Sequence, residues 1–402
     1  FNKKIQERED LVFNGVQAAS IARQCDDYHK SNEYFDKVES TYKEEVDKDN
    51  AINNSIESIK SVLVNNNTND YEGNTYEKIM INTYKALNYM ALNDHDNARI
   101  EFNRALDRQR RAKDFYASEI AEKQEDDEKS YSKVKKIDET NAVINQNFPS
   151  LFDGFQAYPD FVNPFTTYMS GLFFMINGDP AKARDFLKES SAMLPGNKQV
   201  KADFDLSNQM LNKGGKTNKK YAWVIYENGQ AMVKEELRID IPLFLVSNKT
   251  LYTGIALPKL KNRASSYSYL MINQAKTEVV SDMDRVIKTE FKKRLPVIAS
   301  EAVISAIAKT IANKELEKRG GLVGSLIGTA FHAATNKADV RSWSALPKNF
   351  QVARVEITDK PISIKSDSGK EISSVNASKA KNAIIYIRSI KPGHDNVKTI
   401  LF

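Results

Sequence analysis

Side chains that could perform chemistry are few in this sequence and lie far apart. The 402-residue chain has one cysteine, Cys25, and four histidines, none of them in an HExxH motif. An intramolecular disulfide and a cysteine-clustered zinc site are therefore excluded. Asp94-His95-Asp96 could bind a metal ion weakly, but it falls at a predicted turn between two helices, where polar residues are expected. We therefore predict no metal site.

Two short motifs resemble catalytic or nucleotide-binding signatures but have the wrong surroundings. Ser-x-x-Lys occurs at Ser40 and Ser130 within charged helical stretches, whereas a nucleophilic serine needs a buried site and an activating partner. Gly215-Lys216-Thr217 ends like a phosphate-binding loop, but Met210 occupies the position of the first glycine. A helix also precedes this motif where a strand is required. We predict neither a cofactor nor a catalytic site, and an enzyme whose residues converge only in the folded chain stays an alternative.

Three residues near the end of the sequence, Asp339, Arg341 and Trp343, alternate along a predicted extended segment, which places them on one face. An arginine flanked by a carboxylate and an aromatic ring could recognise a binding partner. The same residues could instead form an internal ion pair that fastens a helical insertion to the sheet. We favour the internal ion pair.

Aromatic residues cluster between positions 148 and 168, and Phe152, Phe155 and Tyr158 belong to this cluster. Such a cluster can line an interface or a ligand groove. It can also pack a loop onto a helical core, which is the interpretation we favour. The three residues stay candidates for interaction.

Gly320, Gly324 and Gly328 recur every four residues, which leaves one face of a helix without side chains. Helices can approach closely at such a face, in a membrane or at an interface between subunits. A glycine-rich turn or a tightly packed pair of soluble helices would account for the same spacing, and we favour that explanation. The three glycines are kept as candidate contacts to a membrane or a second subunit.

Length and composition indicate a globular protein of two or three domains. The 59 basic and 53 acidic residues give a net charge of +6, and the basic clusters are short, so we predict no nucleic-acid binding. The sequence has no uncharged apolar run of about 18 residues, so no ordinary transmembrane helix is predicted. Because the sequence begins with Phe1 rather than Met, we expect the chain to be processed or trimmed, with any targeting peptide removed.

Helical repeats are predicted for residues 1–212, where apolar residues recur at spacings of three and four. From Ile79 to Ala112 and again from Pro164 to Asn197, small and large residues fall at the positions that define a tetratricopeptide repeat (TPR). The small residues let two antiparallel helices cross closely, and the large residues fill the adjacent gap. The matching residues are Ala86, Tyr89, Ala98, Phe102 and Ala105 in the first unit, Gly171, Phe174, Gly178, Ala183, Leu187, Ser190 and Pro195 in the second, and, more loosely, Ala19, Ala22, Ser31, Phe35 and Val38 in a unit near residues 12–45.

A linker at residues 213–220 leads into a strand-rich half, residues 221–402. Short apolar runs predict a mainly antiparallel sheet, with a hairpin turn at Asn228-Gly229 after the first strand. A helical insertion interrupts the sheet at about 281–335. The predicted fold class is α+β, with an N-terminal TPR-like helical repeat domain followed by a mainly antiparallel β domain that carries the insertion.

Several segments of the chain carry a family resemblance. They are residues 82–89 and 98–105, Asn163-Pro164-Phe165 with Gly171, residues 254–258, and residues 338–343 leading to Leu346-Pro347. Together they resemble an uncharacterised group of bacterial TPR-containing envelope lipoproteins, over about residues 75 to 350. The resemblance implies a signal peptide that ends at a lipidated cysteine just before Phe1, and hence a periplasmic protein anchored to the outer membrane. It implies no reaction and no catalytic residue.

The sequence therefore predicts a non-enzymatic adaptor or scaffold of the bacterial cell envelope, whose helical repeats bind a protein or peptide. One alternative is a structural subunit of a secretion, motility or wall-synthesis assembly, in which Gly320 to Gly328 pack against another subunit. A further alternative is a wall-active enzyme that uses a cleft between the two halves. Acids that converge near residues 148–168 would favour the enzyme.

Overall fold

The computed structural model of the protein describes residues 1–49, 70–112, 163–214, 217, 219–242, 252–295, 298–299, 302, 305–306 and 337–402. These residues form a mixed helical and sheet structure of the α+β class. Six predicted interaction residues lie outside the described residues, namely Phe152, Phe155, Tyr158, Gly320, Gly324 and Gly328. Most of the predicted insertion at 281–335 also lies outside them.

The described residues of the first half form eight helices. They are α1 (Asn2–Gln6), α2 (Leu11–Gln24), α3 (Tyr28–Asp49), α4 (Thr75–Ala91), α5 (95–112), α6 (Pro164–Ile176), α7 (Pro180–Met193) and α8 (Lys198–Asn212). The side chains of Asn163, Asp179 and Asn197 accept hydrogen bonds from the first turns of α6, α7 and α8 at 3.1, 3.1 and 2.9 Å. These caps satisfy backbone donors that have no partner within the helix.

Helices α2–α3, α4–α5 and α6–α7 form three hairpins, and each hairpin buries some of the residues that the repeat spacing singles out, whereas Gly178 and Pro195 are exposed. The buried small residues are Ala19, Ser31, Ala86, Ala98, Gly171 and Ala183, and the buried large residues are Phe35, Phe102 and Leu187. A Cβ atom on Gly171 would lie 2.8 Å from Leu187 Cγ, closer than real Cβ contacts. The close crossing of α6 and α7 therefore requires the glycine.

The strands of the second half form three sheets. They are β1 (Tyr221–Asn228), β2 (Val233–Pro242), β3 (Tyr252–Lys261), β4 (Leu270–Ile272), β5 (Ala275–Lys276), β6 (Glu278–Asp282), β7 (Asn349–Glu356), β8 (Ile362–Ser366), β9 (Glu371–Val375), β10 (Asn382–Ser389) and β11 (Asp395–Leu401), with helix α9 (283–295) after β6. The largest sheet has the order β11-β10-β1-β7-β6. In it β1 and β10 run parallel, whereas the other neighbours run antiparallel. The other two sheets have the orders β2-β3 and β5-β4-β8-β9.

The turn at Asn228-Gly229 does not form the predicted hairpin, because β1 and β2 belong to different sheets. Gly229 has a φ of 61°, and its N–H donates to Ser389 O at 2.8 Å. A Cβ atom there would lie 2.5 Å from Ala264 O. Gly229 thus turns the chain away from the five-stranded sheet at a point where its backbone passes close to that of Ala264. The hairpin prediction is wrong because turn residues report local backbone conformation and not which strands pair.

The helical and sheet halves share one hydrophobic core. A buried carboxylate, Asp203 of α8, joins them through hydrogen bonds from Tyr168 OH at 2.7 Å, Trp223 Nε1 at 3.0 Å and Arg354 Nη1 at 2.7 Å. Burial raises the pKa of the Asp203 carboxyl, although its three partners oppose this. The two halves therefore pack against each other and are not connected by the linker alone.

Candidate functional site

Residues 337–346 of the sheet half lie across a surface that α2, α3 and α4 form. We call this surface the groove. Trp343 is 1% exposed, and its ring contacts Phe35 and Tyr84 at centroid distances of 5.6 and 5.7 Å. Its Nε1 donates to Ser20 Oγ at 2.7 Å. The groove therefore provides an aromatic recess with a polar atom at its base, a typical arrangement for anchoring one large side chain.

The groove also binds the backbone of these residues. Trp343 N–H donates to Glu77 Oε1 at 2.8 Å, and Gln17 Nε2 donates to Ser342 O at 2.9 Å. The Gln17 amide oxygen accepts a further hydrogen bond from Ser344 Oγ at 3.1 Å. Hydrogen bonds to main-chain atoms do not depend on the identity of the bound side chain. The groove thus has the donors and acceptors that hold an extended peptide.

Arg341 forms an internal ion pair with Asp339 of the same segment and with Asp10 of the helical half. Its Nε and Nη2 donate to Asp339 at 3.0 and 2.8 Å, and its Nη1 lies 3.0 Å from Asp10 Oδ2. Asp10 directly precedes α2, so this pair joins the segment to the helical half. Whether Arg341 also fastens the helical insertion to the sheet stays a prediction, because most of the insertion lies outside the described residues.

A cleft begins where the bound segment ends, between α2, α4 and the strands β1, β10 and β11. It has a volume of about 450 Å³, including the part open to solvent. Its lining residues are Ser20, Arg23, Gln24, Tyr28, Tyr84, Glu227, Ala345, Tyr386, Arg388, Asn396 and Lys398. Ser20, which binds the Trp343 indole, lines this cleft too. The cleft is therefore a continuation of the groove.

Arg23 is the central cation of the cleft. Its guanidinium carbon lies 5.0 Å from the ring centroid of Tyr84, 4.8 Å from that of Tyr386 and 6.0 Å from that of Tyr28. Its Nη1 donates to Asn88 Oδ1 at 2.5 Å. Burial lowers the pKa of Arg23, but the neighbouring Tyr386 and the Glu227 carboxylate outweigh burial and raise it overall. Arg23 therefore stays charged while held in an aromatic cage.

One carboxylate, Glu227 of β1, lies in the wall of the cleft and is 5% exposed. Tyr386 OH donates to its Oε1, and Arg388 Nε lies 3.4 Å from its Oε2. Arg388 also donates to Gly229 O at 2.6 Å. Burial and the adjacent Glu227 hold the pKa of Tyr386 well above its ordinary value, so the phenol stays protonated. Glu227 is thus already engaged by groups of the protein.

The rim of the cleft joins the end of α2 to β11. Lys398 forms an ion pair with Asp26, and Asn396 Nδ2 donates to Gln24 O at 2.9 Å. Three of the lining residues are cations and one is a carboxylate. The cleft is therefore suited to binding an anionic group. Its single carboxylate does not provide the pair of acids that glycoside hydrolysis requires.

The polar residues of the segment at 82–89 lie inside the helical array and not on its surface. Lys85 is 1% exposed and pairs with Asp36 at 2.7 Å, Glu39 at 2.5 Å and Glu101 at 3.0 Å. These contacts connect α3, α4 and α5. Burial lowers the pKa of Lys85, but Glu39 and Glu101 outweigh burial and raise it strongly. The segment that carries part of the family resemblance thus stabilises the core.

The turn at Asp94-His95-Asp96 also has a structural role. Asp94 Oδ1 accepts a hydrogen bond from Asn97 N–H at 3.1 Å at the start of α5. No group of three or more potential metal ligands occurs in the part of the chain that the structure describes. Within the same ranges, no helix combines the length and the apolar character needed to cross a membrane.

Sequence reasoning did not select Arg23 or the other residues of the cleft. They come from separate helices and strands, and no local spacing signals them. Of the predicted candidates, Asp339, Arg341 and Trp343 lie together beside the groove and are bound within the protein. Comparison of the chain with protein-family models, with curated proteins and with solved structures gives no match.

Proposed function

We propose that the protein is a non-enzymatic adaptor or scaffold of the bacterial cell envelope that binds an extended segment of a partner protein. The observation that carries the proposal is the groove, which holds residues 337–346 through backbone hydrogen bonds and one buried indole. A surface with this chemistry suits an extended peptide, and the cleft adjoins it beyond Ala345. The partner would bind in the cleft, next to the part of the groove that residues 337–346 already occupy.

The helical half is proposed to be a TPR-like array. Support comes from the three hairpins, which bury equivalent small positions such as Ala19, Ala86 and Gly171. The first helix of each hairpin contacts the sheet half, through Gln17, Glu77 and Phe165 respectively. Repeat arrays commonly bind their ligands along one such continuous face. In this protein its own sheet half would complete the binding face.

The envelope location and the lipid anchor are proposals that rest on the sequence resemblance. A lipidated cysteine ahead of Phe1 would attach the protein peripherally to the outer membrane from the periplasmic side. The partner would then be an envelope protein, and the assembly could contain more than one copy of the chain. Such a scaffold needs no cofactor.

In-cell cross-linking of the native, full-length protein tests this proposal. Lysines at the cleft, such as Lys398, and on α3, such as Lys30 and Lys37, provide reactive amines. We expect cross-links from these lysines to one envelope protein and an acylated cysteine at the mature N-terminus. Cross-links to cytosolic proteins only, or none, together with an unmodified N-terminus, would overturn it.

A further inference from the structure

We propose that the cleft recognises a carboxylate on the partner peptide and that Arg23 is the residue that binds it. This inference rests on the proposed adaptor function, and it specifies the chemistry of the partner. The carboxylate could belong to an Asp or Glu side chain or to a peptide C-terminus. Both sources offer the same planar pair of acceptor oxygens.

Within the described residues, Arg23 has no carboxylate in direct contact, unlike other arginines of the core, although the Glu227 charge nearby favours its charged form. Arg354 pairs with Asp203 at 2.7 Å, and Arg388 lies 3.4 Å from Glu227. Over the described parts of the chain, no carboxylate lies within 4.0 Å of the Arg23 guanidinium. A partly buried charge is most stable when an opposite charge meets it. A carboxylate that enters the cleft would supply this missing partner.

Arg23 is also held in one position before any ligand binds. The rings of Tyr84 and Tyr386 cover the guanidinium, and the Asn88 side chain accepts from one of its nitrogens. The remaining N–H groups lie in the guanidinium plane, where they match the two oxygens of a carboxylate. Because the side chain is already fixed, binding loses little conformational entropy.

The other charges near Arg23 are already paired within the protein. Lys398 at the rim pairs with Asp26, and Arg388 in the wall pairs with Glu227. Glu227 also accepts a hydrogen bond from Tyr386. Arg23 is therefore the cation of the described lining that is free to contact an incoming anion directly.

The ligand is expected to be a peptide rather than a free anion, because the cleft adjoins the groove. Ala345 and Ser20 line the cleft, and Ser20 also binds the indole of Trp343, which belongs to residues 337–346. A peptide that binds beside this segment would place its carboxylate at Arg23.

Affinity selection with defined peptide pools tests the inference. The probes are three pools of acetylated, randomised hexapeptides: one with a free C-terminus and no Asp or Glu, one amidated with a single Glu, and one amidated without acids. Each pool is mixed with the full chain, and bound peptides are quantified by mass spectrometry. We expect the wild-type protein to retain at least one acidic pool about tenfold more than the neutral pool. Whichever acidic pool binds identifies the source of the carboxylate.

Variants connect the binding to Arg23. Arg23→Gln should reduce retention of the acidic pool at least tenfold, whereas Arg184→Gln, at an exposed arginine of α7 that pairs with Asp185, should leave it unchanged. Arg23→Lys keeps the charge without the planar fork and should give an intermediate loss. If circular dichroism shows that Arg23→Gln is unfolded, Arg23→Lys and Lys398→Gln provide the comparison, with about threefold losses expected.

Three results would overturn the inference. They are equal retention of the neutral and acidic pools, equal retention by the wild-type protein and the folded Arg23 variants, and no retention of any pool. The in-cell cross-links that test the adaptor function do not require Arg23. Cross-links to an envelope protein together with any of these results would therefore remove the carboxylate inference and leave the adaptor function in place.

Discussion

Removal of the Trp343 side chain should strongly destabilise the protein, because this residue anchors residues 337–346 in the groove. Trp343→Ala would delete a ring that is 1% exposed and contacts Phe35 and Tyr84. Substitution of a buried aromatic residue by Ala costs about 3–5 kcal/mol. The variant also loses the hydrogen bond from Trp343 Nε1 to Ser20 Oγ. We therefore expect a decrease of about 4 kcal/mol in the free energy of unfolding.

A graded substitution separates ring packing from hydrogen bonding. Trp343→Phe keeps an aromatic ring but removes the Nε1 donor. Ser20 Oγ still donates to Val16 O at 2.8 Å, so it keeps one of its two hydrogen bonds. We therefore expect Trp343→Phe to cost about 1–2 kcal/mol, partly from the lost hydrogen bond and partly from the smaller ring.

The measurement is urea denaturation of the full chain, followed by far-UV circular dichroism, for the wild-type protein and both variants. Val340→Ala is the matched control, because Val340 lies on the same segment and is 36% exposed. It should change the free energy of unfolding by less than about 0.5 kcal/mol. If Trp343→Ala costs no more than Val340→Ala, the segment is not anchored in the groove and the reasoning fails.

Three further predictions use the same denaturation assay. Lys85→Met should cost about 3–5 kcal/mol at neutral pH. Burial raises the pKa of Glu39, but Lys85 and other partners outweigh burial and hold it below 4.5, so this penalty should shrink as the pH falls through that lowered pKa. Gly229→Ala should cost more than Gly369→Ala by at least about 1 kcal/mol, because both have positive φ but only Gly229 would bring a Cβ against a backbone oxygen. Burial raises the pKa of Asp203 above 3.8. The free energy of unfolding of the wild-type protein should therefore fall, relative to that of Asp203→Asn, as the pH rises from 3.8 through the raised pKa. Equal costs for the two glycines, or pH-independent differences for the Lys85 and Asp203 variants, would contradict the respective assignment.

The local architecture was largely accessible from the sequence. The turn predicted at Asp94-His95-Asp96 lies where α4 ends and α5 begins, because turn signals depend on neighbouring residues alone. The strand-rich character predicted for residues 221–402 is also observed. Strand pairing was not accessible, since β1 lies beside β10, more than 150 residues away in the chain. Pairing depends on which distant surfaces become buried together and not on any local pattern.

The candidate site was mostly hidden from sequence reasoning for the same physical reason. Arg23 is an ordinary residue near the end of an amphipathic helix until Tyr84 and Tyr386 from distant elements enclose it. Trp343 and Arg341 were recognised as special from their spacing alone. Their actual partners, Ser20 and Asp10, lie more than 300 residues earlier in the chain. Spacing can indicate that a residue is constrained, but only the folded chain shows by what.

The central claim, that a partner binds in the cleft beside the groove, is tested most directly by site-specific photo-cross-linking in cells. A photoreactive amino acid would replace Gln24, which lines the cleft, or, as the matched control, Lys188, an exposed residue of α7 that does not line it. The claim predicts that position 24 cross-links to one envelope protein and that position 188 does not. Cross-linking of that protein from position 188 but not from position 24 would contradict it.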